Sequence, residues 1–249
     1  HLLAEELSGS GRKVVVTTTT KVYQRPDLPL VLGLTLQEAT SRLKKIMAVS
    51  HLTILAGGLL PGFKLKGIDP SWPGRLIEEP EVSCILAECD GAAGRPLKGY
   101  ASYEPVLPPD SSIIIPVLGL SSLGSILDSE RVHRPALFSE MAGIKIGETI
   151  RAEHLIRSMK RMIELNQAGK PIDFILLTTI PELKMIGGIS YLNELESCAE
   201  IEKFDELEDV IIEGWKEREK QNILQIASIN DWEIQTVIEK LNEISEVKL

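Results

Sequence analysis

The chain lacks the cysteine patterns that build disulfide frameworks and zinc sites. Of its 249 residues three are cysteine, Cys84, Cys89 and Cys198. The number is odd and no two form a CxxC pair, so a stapled secreted scaffold is excluded and a reducing cytoplasm is expected. The histidines, His1, His51, His133 and His154, show no zinc-ligand spacing. No apolar run approaches the roughly 20 residues that span a bilayer, and no signal peptide is visible. Positive charge is in deficit: 27 Lys and Arg stand against 36 Asp and Glu, a formal net charge of −9. General attraction to nucleic acid or to an anionic membrane is therefore not expected, although a local basic cluster can still hold a phosphate. The chain opens on His1 rather than Met, so a natural start further upstream is expected.

What is present is enough length to bury a substantial core and a pattern of strands separated by helices or long connections. Val14 to Thr20 is β-branched throughout and suits a strand covered on both faces. Leu52 to Ala56, Ser83 to Glu88, Ile113 to Leu118 and Ile172 to Thr178 read as further strands. His1 to Leu7 reads as the last turns of a helix closed by Ser8-Gly9-Ser10-Gly11, and Leu36 to Val49 and Ile150 to Asn166 read as helices. This order implies parallel crossovers, hence an α/β fold with a three-layer, doubly wound, mostly parallel sheet. We expect one such domain over residues 1–193 and an acidic, mostly helical extension over 194–249, where Ile234, Val237, Ile238, Leu241 and Ile244 keep one apolar stripe.

The chemistry concentrates in "AECDGAAGRPLK", Ala87 to Lys98. A strand that ends in Glu88 and Asp90 places both carboxylates on one face, about 7 Å apart if both residues are extended. One acid near a metal and a second near an attacking water suit that spacing. Open parallel sheets bind ligands beyond the carboxyl ends of their strands, where Asp90 falls. Gly91 and Gly94 allow close backbone approach, and Arg95 and Lys98 offer charge for phosphate oxygens. The same letters also suit an acidic surface strand end followed by an ordinary glycine turn. Cys89 is expected to face the packed layer as a buried, inert thiol.

"VVVTTTTK" (Val14 to Lys21), "KLKGIDP" (Lys64 to Pro70), "AECDGAAGRPLK" and "VHRP" (Val132 to Pro135) occur in this order, and together they resemble the YqeC family over roughly Leu2 to Pro135. That family is known as selenium-dependent hydroxylase accessory proteins. The resemblance implies a P-loop NTPase-like fold, Mg²⁺ with ATP or GTP as cofactors, and a molybdenum hydroxylase or its maturation factors as partner. It implies that Asp90 holds Mg²⁺, with Glu88 as second carboxylate and Gly94 in a turn that senses the terminal phosphate. Thr18 and Thr20 alternate onto one face, so their hydroxyls reach Mg²⁺-bound water or phosphate; plain β-propensity explains them equally well. Lys21, Lys64, Lys66, Arg95 and Lys98 become candidate phosphate contacts, and His133 and Arg134 candidate closers of the same crevice.

Three departures accompany the resemblance. No GxxxxGK[ST] loop occurs, and Gly9-Ser10-Gly11-Arg12-Lys13 leads into a strand rather than opening a helix. The resemblance therefore implies a phosphate loop upstream of His1. Leu176 to Pro181 stands where a guanine-reading Asn-Lys-x-Asp would fall, and Tyr103-Glu104-Pro105 where the family shows His-Glu-Pro. The expected function is a Mg²⁺-dependent nucleotide-binding or nucleotide-hydrolysing accessory protein. The alternatives are a noncatalytic holder of a phosphorylated, molybdopterin-type cofactor and an interaction domain acting through the acidic tail.

Overall fold

The computed structural model describes residues 2–119, 122, 124–165 and 176–178. Helix α1 (Leu2–Gly9) leads through a glycine turn into β1 (Val14–Thr18), followed by β2 (Lys21–Tyr23), β3 (Leu30–Leu32), α2 (Leu36–Met47) and β4 (Leu52–Ala56). Two short strands, β5 (Gly58–Leu60) and β6 (Lys64–Lys66), precede α3 (Trp72–Leu76) and β7 (Cys84–Glu88). The remainder comprises β8 (Leu97–Lys98), β9 (Val117–Gly119), β10 (Val132–His133), α4 (Pro135–Ala142), α5 (Ala152–Glu164) and β11 (Leu176–Thr178).

The central sheet has the order β3-β4-β1-β7 and is parallel throughout. Alternation along β1 sends Val14 and Val16 to one face and Val15 to the other. On the first face Val14 and Leu52 pack with Ala4 and Leu7 of α1, joined by Cys84 and Leu86. On the second, Val15 and Leu55 meet Ala39, Leu43 and Met47 of α2 and Leu76 of α3. Helices thus cover both faces, which is why β1 and β4 are almost wholly buried, with Thr17 and Thr53 hydroxyls bonded to backbone carbonyls. The expected α/β class with a mostly parallel sheet is what the structure has.

Helix α2 starts where its sequence signals it. Thr35 accepts from the Glu38 N–H at 3.2 Å, and Glu38 Oε2 reaches back to the Leu34 N–H at 2.9 Å, a reciprocal cap of about 1 kcal/mol. One expected strand is shorter than its apolar run. Residues 113–116 are irregular and β9 begins only at Val117, because Pro116 has no N–H for a ladder. The beginning of the Ile172 to Thr178 segment, Asn166 and the whole extension after residue 193 lie outside the described residues.

Beside the main sheet stands a small antiparallel one, β2-β6-β5. Its inner side contributes Leu65 to the core with Val22 against it. Two glycines let it sit against the end of β1. A Cβ on Gly67 would lie 2.4 Å from the Thr19 carbonyl carbon, and one on Gly57 would lie 2.6 Å from the Gly67 oxygen. This close approach lets Ile68 N–H donate to the Thr18 carbonyl at 2.8 Å. Gly67→Ala is expected to lower the free energy of unfolding by about 1–3 kcal/mol. Gly9→Ala, where an added methyl meets nothing within 4 Å, should leave stability unchanged or slightly higher. Urea denaturation of the two variants checks both; equal midpoints would show that the loop after β1 yields freely.

Candidate functional site

The carboxyl ends of β1 and β7 meet in register, with Thr18 opposite Glu88. Helix α1 runs back antiparallel to β1, so its first turn lies toward this edge; Glu5 there pairs with Arg25, just past β2, at 3.3 Å. Thr18 is buried, and its hydroxyl donates to the Glu88 carbonyl at 2.9 Å while accepting from the Thr20 N–H at 2.9 Å. Thr20 Oγ1 lies 3.1 Å from the same oxygen. Since Thr18 has spent its only proton on Glu88, Thr20 is the donor of that contact and keeps lone pairs for another partner. Thr18 is therefore a positioning residue, and Thr20 is the hydroxyl that faces the edge.

Gly91 adjoins that hydroxyl. A Cβ there would lie 3.4 Å from Thr20 Oγ1 and 3.8 Å from Glu88 Oε1, so Thr20, Glu88 and the Gly91 backbone line one small space. The Glu88 side chain is exposed, yet its carboxyl is pushed above the usual carboxylate range, first by partial loss of hydration and then by the negative charge of Asp90.

Asp90 lies past the end of β7 and turns inward. Its Oδ1 accepts from Lys98 Nζ, which also donates to Glu104 Oε1 at 2.9 Å. The Lys98 side chain is only 3% exposed and that of Glu104 10%, whereas Asp90 retains 25%. Glu104 Oε2 takes Arg134 Nη1 and, at 3.1 Å, the Ala101 N–H. Two cations thus neutralise two carboxylates in a chain whose middle, Lys98 and Glu104, is buried and whose two ends, Asp90 and Arg134, reach solvent. Burial by itself raises the Glu104 carboxyl, but the hydrogen bonds from Lys98 and Ala101 and the charges of Lys98 and Arg134 outweigh it and hold it low. The Tyr100 ring lies 5.5 Å from Lys98 Nζ. Burial and the neighbouring carboxylates push its phenol far above the ordinary range, so it stays protonated.

Backbone pairing builds this chain. β8 and β10 are parallel, with Lys98 beside His133, and the Gly99 N–H donates to the His133 carbonyl at 2.8 Å. A Cβ on Gly99 would lie 2.3 Å from Phe138 N and 2.6 Å from Arg134 O, so glycine lets α4 start against β8. Arg134 caps α4 in the left-handed region with φ 58°, a conformation that costs about 1–3 kcal/mol and persists where surrounding contacts fix it. The His133 ring stays below the usual imidazole value, first through loss of hydration and then through the charges of Arg134, Lys98 and Arg95. Arg95 Nε donates to the Ser129 carbonyl at 2.6 Å.

Of the residues singled out in the sequence, Thr18, Thr20, Glu88, Asp90, Gly91 and Lys98 share this edge, with His133 and Arg134 joined to it through Lys98 and Glu104. Gly94 forms a turn with Ala93, both at positive φ, with open space around it. Lys21, Lys64 and Lys66 lie on the outer face of the small sheet, where Lys21 pairs with Lys66 and Lys64 covers the Tyr23 ring at 4.8 Å. Glu104 and Tyr100 were missed; a glutamate beside a proline in a loop gives no periodic signal, although Tyr103-Glu104-Pro105 had already drawn notice for the histidine it lacks. Among the described residues no three His, Cys, Asp or Glu side chains gather around a metal position.

A family profile described as YqeC protein matches residues 1–136. The chain belongs to the YqeC family. A curated protein of Escherichia coli (strain K12), named "Uncharacterized protein YqeC", is 32% identical over 157 residues, which cover 62% of this chain and 59% of that protein. No solved structure matches the chain. The YqeC match ends just after His133 and Arg134, so it encloses every residue of the charged edge.

Two measurements test this description. Glu104→Gln is expected to cost about 3 kcal/mol, because it strips a buried ammonium of one partner. The contribution of Glu104 is complete above its ordinary pKa of about 4.3 and is lost as pH falls through its lowered folded-state value. Urea midpoints of the natural protein should therefore drop across that acid window, while those of Glu104→Gln stay flatter; parallel curves would remove Glu104 from the network. Burial pushes the Cys89 thiol up to about 11. Iodoacetamide at pH 8 should accordingly label Cys89 about 100-fold more slowly in the folded chain than in urea, and equal rates would mean that it is open to solvent.

Proposed function

We propose that this YqeC chain is a Mg²⁺-dependent nucleotide-binding protein. Its ligand would sit at the carboxyl edge of β1 and β7, and it would serve as an accessory in maturing a selenium-dependent molybdenum hydroxylase. The observation that carries the reading is the meeting, on adjacent parallel strands, of the Thr20 hydroxyl, the Glu88 and Asp90 carboxylates and the bare Gly91 backbone. Parallel sheets bind ligands at this edge, and α1 begins toward it. The accessory role rests on the family resemblance alone.

The donors fit a hard dication. They are all oxygens, they are few, and Mg²⁺ keeps most of its own water. Asp90 and Thr20 would hold it, with Glu88 as the second carboxylate beside them, and when bound it would neutralise phosphate charge. Thr18 fixes the direction of the Thr20 hydroxyl. Glu88, beside Thr20 and the Gly91 backbone, is placed to orient a water at the strand end. Asp90 and Glu104 balance Lys98 and Arg134, so the charge that favours developing negative charge on a phosphate would come from the metal and from Arg95. The nucleotide base stays open between adenine and guanine.

Calorimetric titration of ATP and GTP into the intact natural protein, with Mg²⁺ and with EDTA, tests the proposal. Binding should require the metal, and Glu88→Gln and Thr20→Val should each weaken it about 10–100-fold. Affinity that ignores EDTA and both substitutions would overturn the reading. Phosphate release by the same samples separates hydrolysis from the noncatalytic holding of a phosphorylated cofactor.

A further inference from the structure

Lys98 occupies an unusual position for a residue expected to meet phosphate. Its side chain is buried, and it donates at once to Asp90 and Glu104. The two partners differ. Glu104 has both oxygens engaged, by Lys98 on one and by Arg134 and Ala101 N–H on the other, and so cannot leave. Asp90 is a quarter exposed and stands at the open end. We infer that Lys98 is the resident counter-ion of Asp90, so that the site admits a divalent cation only together with a phosphate; this rests on the nucleotide reading above.

The reasoning is electrostatic. Lys98 and Arg134 already balance Asp90 and Glu104, leaving Glu88 as the acid of the edge without an ion pair among the described residues. A dication arriving alone at Asp90 must displace an ammonium that has nowhere to go. Lys98 belongs to the buried pair Leu97 and Lys98, which is hydrogen-bonded to β10. The metal and the ammonium would then share one small space, and like charges there repel strongly. A phosphate oxygen brought with the metal resolves the conflict by replacing Asp90 as the second partner of Lys98. Only one partner of Lys98 changes, because Glu104 keeps hold of its ammonium. Metal and phosphate therefore bind with positive coupling, and each raises the affinity for the other by the same factor.

The coupling can be read without turnover. Free Mn²⁺ measured by paramagnetic resonance gives the metal affinity of the intact natural protein and of two variants. Lys98→Gln should bind Mn²⁺ at least about tenfold tighter than the natural protein, and Lys98→Arg, which keeps the charge, should not. Equal or weaker binding by Lys98→Gln would overturn the inference. A second measurement needs no variant: the thermal midpoint of the natural protein with Mg²⁺, with inorganic tripolyphosphate and with both. The joint shift should exceed the sum of the separate shifts, and simple additivity would refute the coupling even if Lys98→Gln fails to fold. A protein that binds neither ATP nor GTP yet shows the Lys98→Gln gain in Mn²⁺ affinity would end the nucleotide reading and uphold the role of Lys98.

Discussion

An ammonium group removed from water is the constraint around which this edge is organised. Lys98 is buried under the end of the sheet, and an unpaired charge there would be shed by losing its proton or by unfolding the loop. Two carboxylates and an aromatic face surround it. To bring them there, the chain after β7 must return twice, once to present Glu104 and once to lay β10 beside β8 and deliver Arg134. The long irregular connections of the middle third thus have a physical purpose, since they supply counter-charges to a strand too short to be stable alone.

The division of labour within the edge follows. Glu104 has both oxygens engaged and is fixed, whereas Glu88 and Thr20 retain lone pairs that no donor among the described residues fills. Asp90 lies between these extremes, held on one oxygen from below and open on its outer side. An inner saturated layer therefore holds an outer unsaturated one at the strand ends. Thr18 does the same for the hydroxyls: by committing its proton to the backbone of β7 it locks two strands together and orients its neighbour.

Much of the fold was legible because its signals are local. The β-branched run of β1 and the capped amphipathic α2 each declare themselves within a dozen residues, and the strand that Pro116 shortens carries its own explanation. The edge was legible in part. Glu88, Asp90 and Lys98 stand in one unbroken motif, and their concentration at a strand end is visible in sequence. What the motif could not reveal is that Lys98 turns inward to its own acid rather than outward to a ligand. That depends on Glu104 and Arg134, which reach it by tertiary closure with no spacing rule to announce them. The lysines of the small sheet show the converse, since Lys21 and Lys66 become neighbours only through an antiparallel pairing of distant segments.

That small sheet alters how the molecule presents itself from a distance. Lys21, Lys64 and Lys66 gather on its outer face in a chain of net charge −9, and Lys21 directly follows Thr20. The charge is thus unevenly distributed, with a positive lip beside the hydroxyl and carboxylate rim. A small anion diffusing past is drawn toward this lip, so its rate of encounter declines as added salt shortens the range of the field.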